Sequence, residues 1–218
     1  MNSTLTPLQR RVLQVLSSVN PRWTLTGGAA LAGVYLGHRT TRDLDLFWHG
    51  RPVLAELPGE VEACLTQAGM SVTHVQRATT FCRLEVRDDG DTVVLDLVAD
   101  PAPVVEAPQD KVLEDSQILV DTPHEILVNK LTALMSRSEV RDLVDIRALL
   151  RAGGDLQRAL EDAPKKDGGF SPLTLAWLLE EFPLKSAGRA LGMSPEFLDE
   201  LDAFRTSLKQ RVLDFAKQ

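Results

Sequence analysis

Period-two alternation of apolar and polar residues, the mark of a half-buried strand, recurs through the first 121 residues of this chain and stops at Thr122. Strands are predicted at "RWTLT" (22–26), "DLDLFW" (43–48), "SVTHVQR" (71–77), "TFCRLEVR" (80–87) and "TVVLDLVA" (92–99). The last two are joined by a hairpin at Asp89-Gly90. Helices are predicted at 7–18, entered at Pro7, at 29–37 after a Gly27-Gly28 turn, and at 53–68, stopped by Gly69. The Pro-rich "DPAPVVEAPQDK" is expected to be a loop over the surface. From Thr122 onward every pattern is helical. Thr122, Pro123 and Glu125 supply an N-cap, a first-turn proline and a capping-box acid for a helix to about Arg137. Further helices are predicted at 139–151, 172–181 and 194–215, separated by "AGGD", "PKKDGG" and "MSP". The fold class is therefore α+β: an α+β domain over 1–121 and an α-helical domain over 122–218.

Charge and composition narrow the function. The net charge of −7 and pI near 5.1 oppose the balance of a general nucleic-acid binder, leaving room only for a local basic surface. No apolar run approaches the roughly 18 residues of a membrane span. The segment "MNSTLTPLQRRVLQVL" lacks the basic-then-apolar pattern of an export signal. Two cysteines, Cys64 and Cys82, make neither a disulfide framework nor a zinc site, and are expected to be buried thiols in a reducing cytoplasm. The histidines at 38, 49, 74 and 124 show no ligand spacing.

The chemistry is carried by carboxylates. Residues two apart on a strand share a face, so Asp43 and Asp45 project together while Leu44 and Leu46 point into the core. Two like charges so close call for a cation or for water: the pair is either a metal-binding site or the polar side of a solvent-facing strand. Gly27-Gly28, between a strand and a helix, lets backbone N–H groups approach phosphate oxygens, although a plain turn has the same composition. Arg39 and Arg42 flank Thr40-Thr41 directly before the aspartates, as surface pairs or as phosphate ligands. Asp96, in the middle of the apolar "VVLDLVAD", is a better third carboxylate than Asp91 in the turn or Asp100 before Pro101. In "TPHEILVNKLTALMSR", Lys130 and Arg137 lie seven apart on nearly one helix face. Asp142 and Asp145 are i, i+3 neighbours on the next helix, a spacing equally common among surface charges.

Taken in order, these pieces resemble the nucleotidyltransferase toxins of the AbiEii/AbiGii type, a branch of the polymerase-β-like nucleotidyltransferases. The motifs are Gly27-Gly28, Arg39-Thr40-Thr41-Arg42, Asp43-Leu44-Asp45, Asp96, Ile126-Leu127 with Lys130 and Arg137, and Asp142 with Asp145. The resemblance implies a polymerase-β-like domain, with a mixed sheet flanked by helices, and a helical part that contributes Lys130, Asp142 and Asp145 to the site. It implies that Gly27, Gly28, Arg39, Thr41, Lys130 and Arg137 bind the nucleotide. Asp43, Asp45 and Asp96 would hold Mg2+, two ions in all, with Asp96 also placed as a general base. Asp142 and Asp145 are required in the family. Many members carry Ser as the second turn residue; with Gly28, a phosphate contact there is limited to the backbone.

The implied reaction moves a nucleoside monophosphate from an NTP to an acceptor. An RNA acceptor such as the tRNA 3′ end, with translation blocked and a cognate antitoxin as partner, is the reading the family favours. It requires a basic surface, for which Arg22, Arg39, Arg42, Lys130, Arg137, Arg141 and Lys165-Lys166 are the candidates. Transfer to a small hydroxylated molecule such as an antibiotic is the alternative. A degenerate fold that binds without transfer is opposed by the presence of all three aspartates and Lys130.

Overall fold

The structure is a computed structural model that describes residues 4–217; residues 1–3, where the segment tested for an export signal begins, lie outside the described residues. Two compact units divide it, Met1–Thr122 and Pro123–Gln218.

The first unit opens with α1 (Pro7–Leu16), capped by Thr6, whose hydroxyl accepts from Gln9 N while Gln9 returns a bond to Thr6 N. Strand β1 (Thr24–Thr26) leads into α2 (Gly27–Ala29), which widens at once into a π-helical segment, Ala30–Leu36. This differs from the expected turn and regular helix. Gly27 and Gly28 are the helix's first residues, and Gly37, at φ +60°, closes the wide turn by donating to Ala32 O five residues back. Strand β2 (Asp43–His49), α3 (Leu57–Gln67), β3 (Ser71–Arg77), β4 (Phe81–Asp88) and β5 (Asp91–Asp100) follow near their predicted places.

The expected loop after Pro101 ends earlier than predicted. Gln109–Leu113 forms β6 and Ser116–Val120 forms β7, an antiparallel pair that turns at Glu114, whose φ is +53°. With them the described residues form a seven-stranded mixed sheet in the order β3-β4-β5-β2-β1-β7-β6. The β2–β5 and β1–β7 pairs are parallel and the remaining pairs antiparallel. One sheet face is a dry core of Leu44, Leu46, Trp48, Leu84, Leu95 and Leu97, and α1 touches β5 while α3 touches β3. The alternate residues of β2, β4 and β5 form the opposite, partly open face.

The second unit is all helix: α4 (Pro123–Ser136), α5 (Val140–Arg151), α6 (Leu156–Lys166), α7 (Pro172–Glu180), α8 (Leu184–Ala190) and α9 (Pro195–Phe215). Helix α4 packs against α5, α6 and α7, burying Ile126, Leu127, Val128, Leu131 and Leu134. Helices α6 and α8 were not predicted. Leu173 and Trp177, one turn apart on α7, are each 62% exposed. No helix among the described residues is long and apolar enough to cross a membrane.

Candidate active site

Strand register assembles the first group of residues. Asp45 is the Cα partner of Asp96 across β2–β5, Arg83 the partner of Asp96 across β4–β5, and Thr26 the partner of Asp45 across β1–β2. Register partners share a face, so Arg83, Asp96, Asp45 and Thr26 form one row on the open side of the sheet. Asp43, Val94 and Glu85 make the row on one side, and Phe47, Val98 and Phe81 the row on the other. The carboxylates thus sit in a stripe bounded by an aromatic shelf.

The glycines close in on this stripe. A Cβ on Gly27, whose φ is +61°, would stand 2.3 Å from Asp45 Oδ2, and one on Gly28 would stand 2.5 Å from Nη2 of Arg39. Gly27 requires the bare backbone for Asp45 to approach, whereas at Gly28 the neighbour is the flexible tip of an arginine. The intervening segment is pinned at its main chain: buried Gln9 donates from Nε2 to Thr41 O at 3.1 Å, and the Thr41 hydroxyl donates to Asp43 O at 3.2 Å. Arg39 adds a bond from Nη1 to Thr40 O at 3.1 Å.

Arg83 is the residue that sequence reading missed. Its Nε donates to Asp96 Oδ1 and its Nη2 to Asp96 Oδ2, both at 2.7 Å. These bonds to Asp96 hold the guanidinium above its usual pKa against partial burial, and the charges of Asp96, Asp43 and Asp45 add to the shift. Only the register, which places Arg83 opposite Asp96, marks this arginine out within "FCRLEVR".

Sequence motifs from the helical unit form a second group. Lys130 Nζ lies 2.6 Å from Asp142 Oδ1 and 3.1 Å from Asp145 Oδ2, and Arg137 donates from Nε to Asp142 Oδ2 at 2.9 Å. Lys130 is 8% exposed, Asp142 1% and Asp145 0%. The i, i+3 aspartates are therefore a buried anchor for Lys130 rather than surface charge. The same unit withdraws another candidate cation: Lys166 is buried in an ion pair with Glu125 at 2.5 Å, and so does not contribute to a basic surface.

Two of the histidines that showed no ligand spacing bind carboxylates. His49 joins Asp100 at 3.3 Å through Nδ1 and Asp121 at 3.0 Å through Nε2. Burial disfavours its charge, but the bonds to the two aspartates outweigh that and push its pKa up to about 9. His124 bridges to Asp162 at 2.8 Å. Among the described residues no three Asp, Glu, His or Cys side chains converge as a ready metal cage. The oxygen donors Asp43, Asp45 and Asp96 nonetheless suit a hard divalent cation, with Asp96 engaged by Arg83.

A family model described as the nucleotidyl transferase AbiEii toxin of the type IV toxin–antitoxin system matches residues 11–213. The chain belongs to the AbiEii nucleotidyltransferase toxin family. A search of curated protein sequences gives no significant match. Among solved structures, MenT4, a nucleotidyltransferase toxin of Mycobacterium tuberculosis, superposes with TM-score 0.63 at 16% identity, covering 96% of this chain and 85% of that one. JHP933 of Helicobacter pylori superposes with TM-score 0.57 at 20% identity, covering 96% and 90%. These likenesses establish the fold. Membership of the AbiEii family makes the chain a nucleotidyltransferase, with an NTP as substrate and an antitoxin as the implied partner.

Proposed function

We propose that this AbiEii enzyme transfers a nucleoside monophosphate from an NTP to an RNA acceptor, the tRNA 3′ end being the candidate, and so blocks translation. The observation that carries the reading is the row of Asp45 and Asp96, with Asp43 beside it, lying against the bare backbone of Gly27 on an open sheet face. Asp43, Asp45 and Asp96 are assigned to Mg2+, which when bound would lower the pKa of the attacking hydroxyl and neutralise charge on the departing pyrophosphate. The chain's own groups do the rest. The backbone at Gly27 and Gly28, with Arg39 and Thr41, cradles the triphosphate. The family resemblance assigns Lys130 and Arg137 to nucleotide phosphates, and within the helical unit Asp142 and Asp145 hold the lysine ammonium. The acceptor oxygen attacks the α-phosphorus, the bond to the β-phosphate oxygen breaks, and the acceptor proton passes to Asp96.

The test is transfer of label from each of the four NTPs, with Mg2+ and total tRNA, by the wild type and by Asp43→Ala/Asp45→Ala. Label entering tRNA with the wild type alone is expected. Label absent from RNA but present on a small hydroxylated compound would replace the RNA acceptor with a small-molecule one.

A further inference from the structure

Asp96, in the middle of the carboxylate row, already holds a cation of the protein's own. Both of its oxygens accept from the Arg83 guanidinium at 2.7 Å, in the two-point geometry that gives arginine–carboxylate pairs their strength. The residue is 7% exposed, so little water competes for it. The Arg83 side chain is 42% exposed and rests near the Phe81 ring, with 5.7 Å between Cζ and the ring centroid. A divalent ion approaching Asp96 would therefore meet a fixed positive charge first, and the arginine has open solvent to move into.

We propose that Arg83 is a positioning residue that reserves Asp96: its guanidinium stands in for a metal ion at the third carboxylate and must leave before Asp96 can ligate one. The proposal deepens the metal assignment made above and rests on it. Arg83 restricts loading of Asp96 to conditions that draw the guanidinium away. The register that places Arg83 opposite Asp96 serves this function: an apolar residue there would leave a nearly buried carboxylate with no protein cation across the strand pair.

The experiment is a nucleotide-free Mn2+ titration of the full chain, read by the electron paramagnetic resonance of free Mn2+. Arg83→Gln is expected to bind Mn2+ at least fivefold more tightly than the wild type. The gain should vanish in Arg83→Gln/Asp96→Asn. Arg83→Lys, which keeps the charge but loses the two-point grip, should show a smaller gain of the same sign. Unchanged or weaker binding by Arg83→Gln overturns the proposal, as does a gain that survives loss of the Asp96 carboxylate. Should Arg83→Gln fail to fold, an unaltered affinity in folded Arg83→Lys overturns it. The titration contains neither NTP nor acceptor, so failure of nucleotide transfer with the Mn2+ effect intact would remove the proposed reaction and leave the role of Arg83 standing.

Discussion

At the scale of single residues, the two glycines that look alike in the sequence have different tasks. Gly27 combines a positive φ with direct approach to Asp45, whereas a methyl on Gly28 meets only the movable tip of Arg39. Gly27→Ala should lose ~1–2 kcal/mol of stability from backbone strain alone and drop transfer at least tenfold by displacing Asp45. Gly28→Ala should stay within about 1 kcal/mol of the wild type, because alanine is the better helix former at a helical position. Urea denaturation and the transfer assay separate the two. Such distinctions were only partly legible. The spacing of Asp43 and Asp45 fixed a shared face, and Asp96 stood out as a charge within an apolar strand. Arg83 did not stand out, since its meaning depends on which residue of β5 lies opposite, and that pairing is a tertiary fact.

Elements were legible where their period was regular and hidden where a local signal contradicted the pattern. Strands β2 and β4 alternate cleanly. The β6–β7 pair escaped notice because its turn carries Glu114 and Asp115 instead of glycine, and the preceding prolines imply a loop. Helix α6 was obscured by Pro164 and the Gly pair beyond it, although Asp155 caps it and Leu156, Ala159, Leu160 and Ala163 bury one stripe. That helix is fastened to α4 by charge as well as packing, through Lys166–Glu125 and His124–Asp162. Lys166→Ala takes away the ion-pair partner of a carboxylate with no exposure to water, and should cost about 3–5 kcal/mol. The check is the urea midpoint followed by far-ultraviolet circular dichroism. Lys165→Ala, at an exposed cation, should shift it far less.

For the whole molecule, one titrating group in each unit ties stability to pH, with opposite sign. His49, in the first, has a folded pKa of about 9 against roughly 6.5 when unfolded, so its contribution is complete below about pH 6.5 and lost as pH rises through 9. At full strength it is on the order of 3 kcal/mol, and His49→Gln should flatten the alkaline limb of a stability–pH profile. Asp162, in the second unit, is held below the usual carboxylate range first by the Lys165 hydrogen bond, against burial, and then by His124. Its contribution is present above the unfolded carboxylate pKa and lost as pH falls through the folded one. Alkali should therefore remove the His49 contribution in the sheet unit, and acid the Asp162 contribution in the helical unit. The three tryptophans let the two units be followed separately. Trp23 and Trp48 are 3% and 2% exposed within the first unit, while Trp177 faces water in the second. Blue-shifted emission inaccessible to an aqueous quencher and red-shifted emission open to it come from different parts of one chain, which carries a native optical label for each.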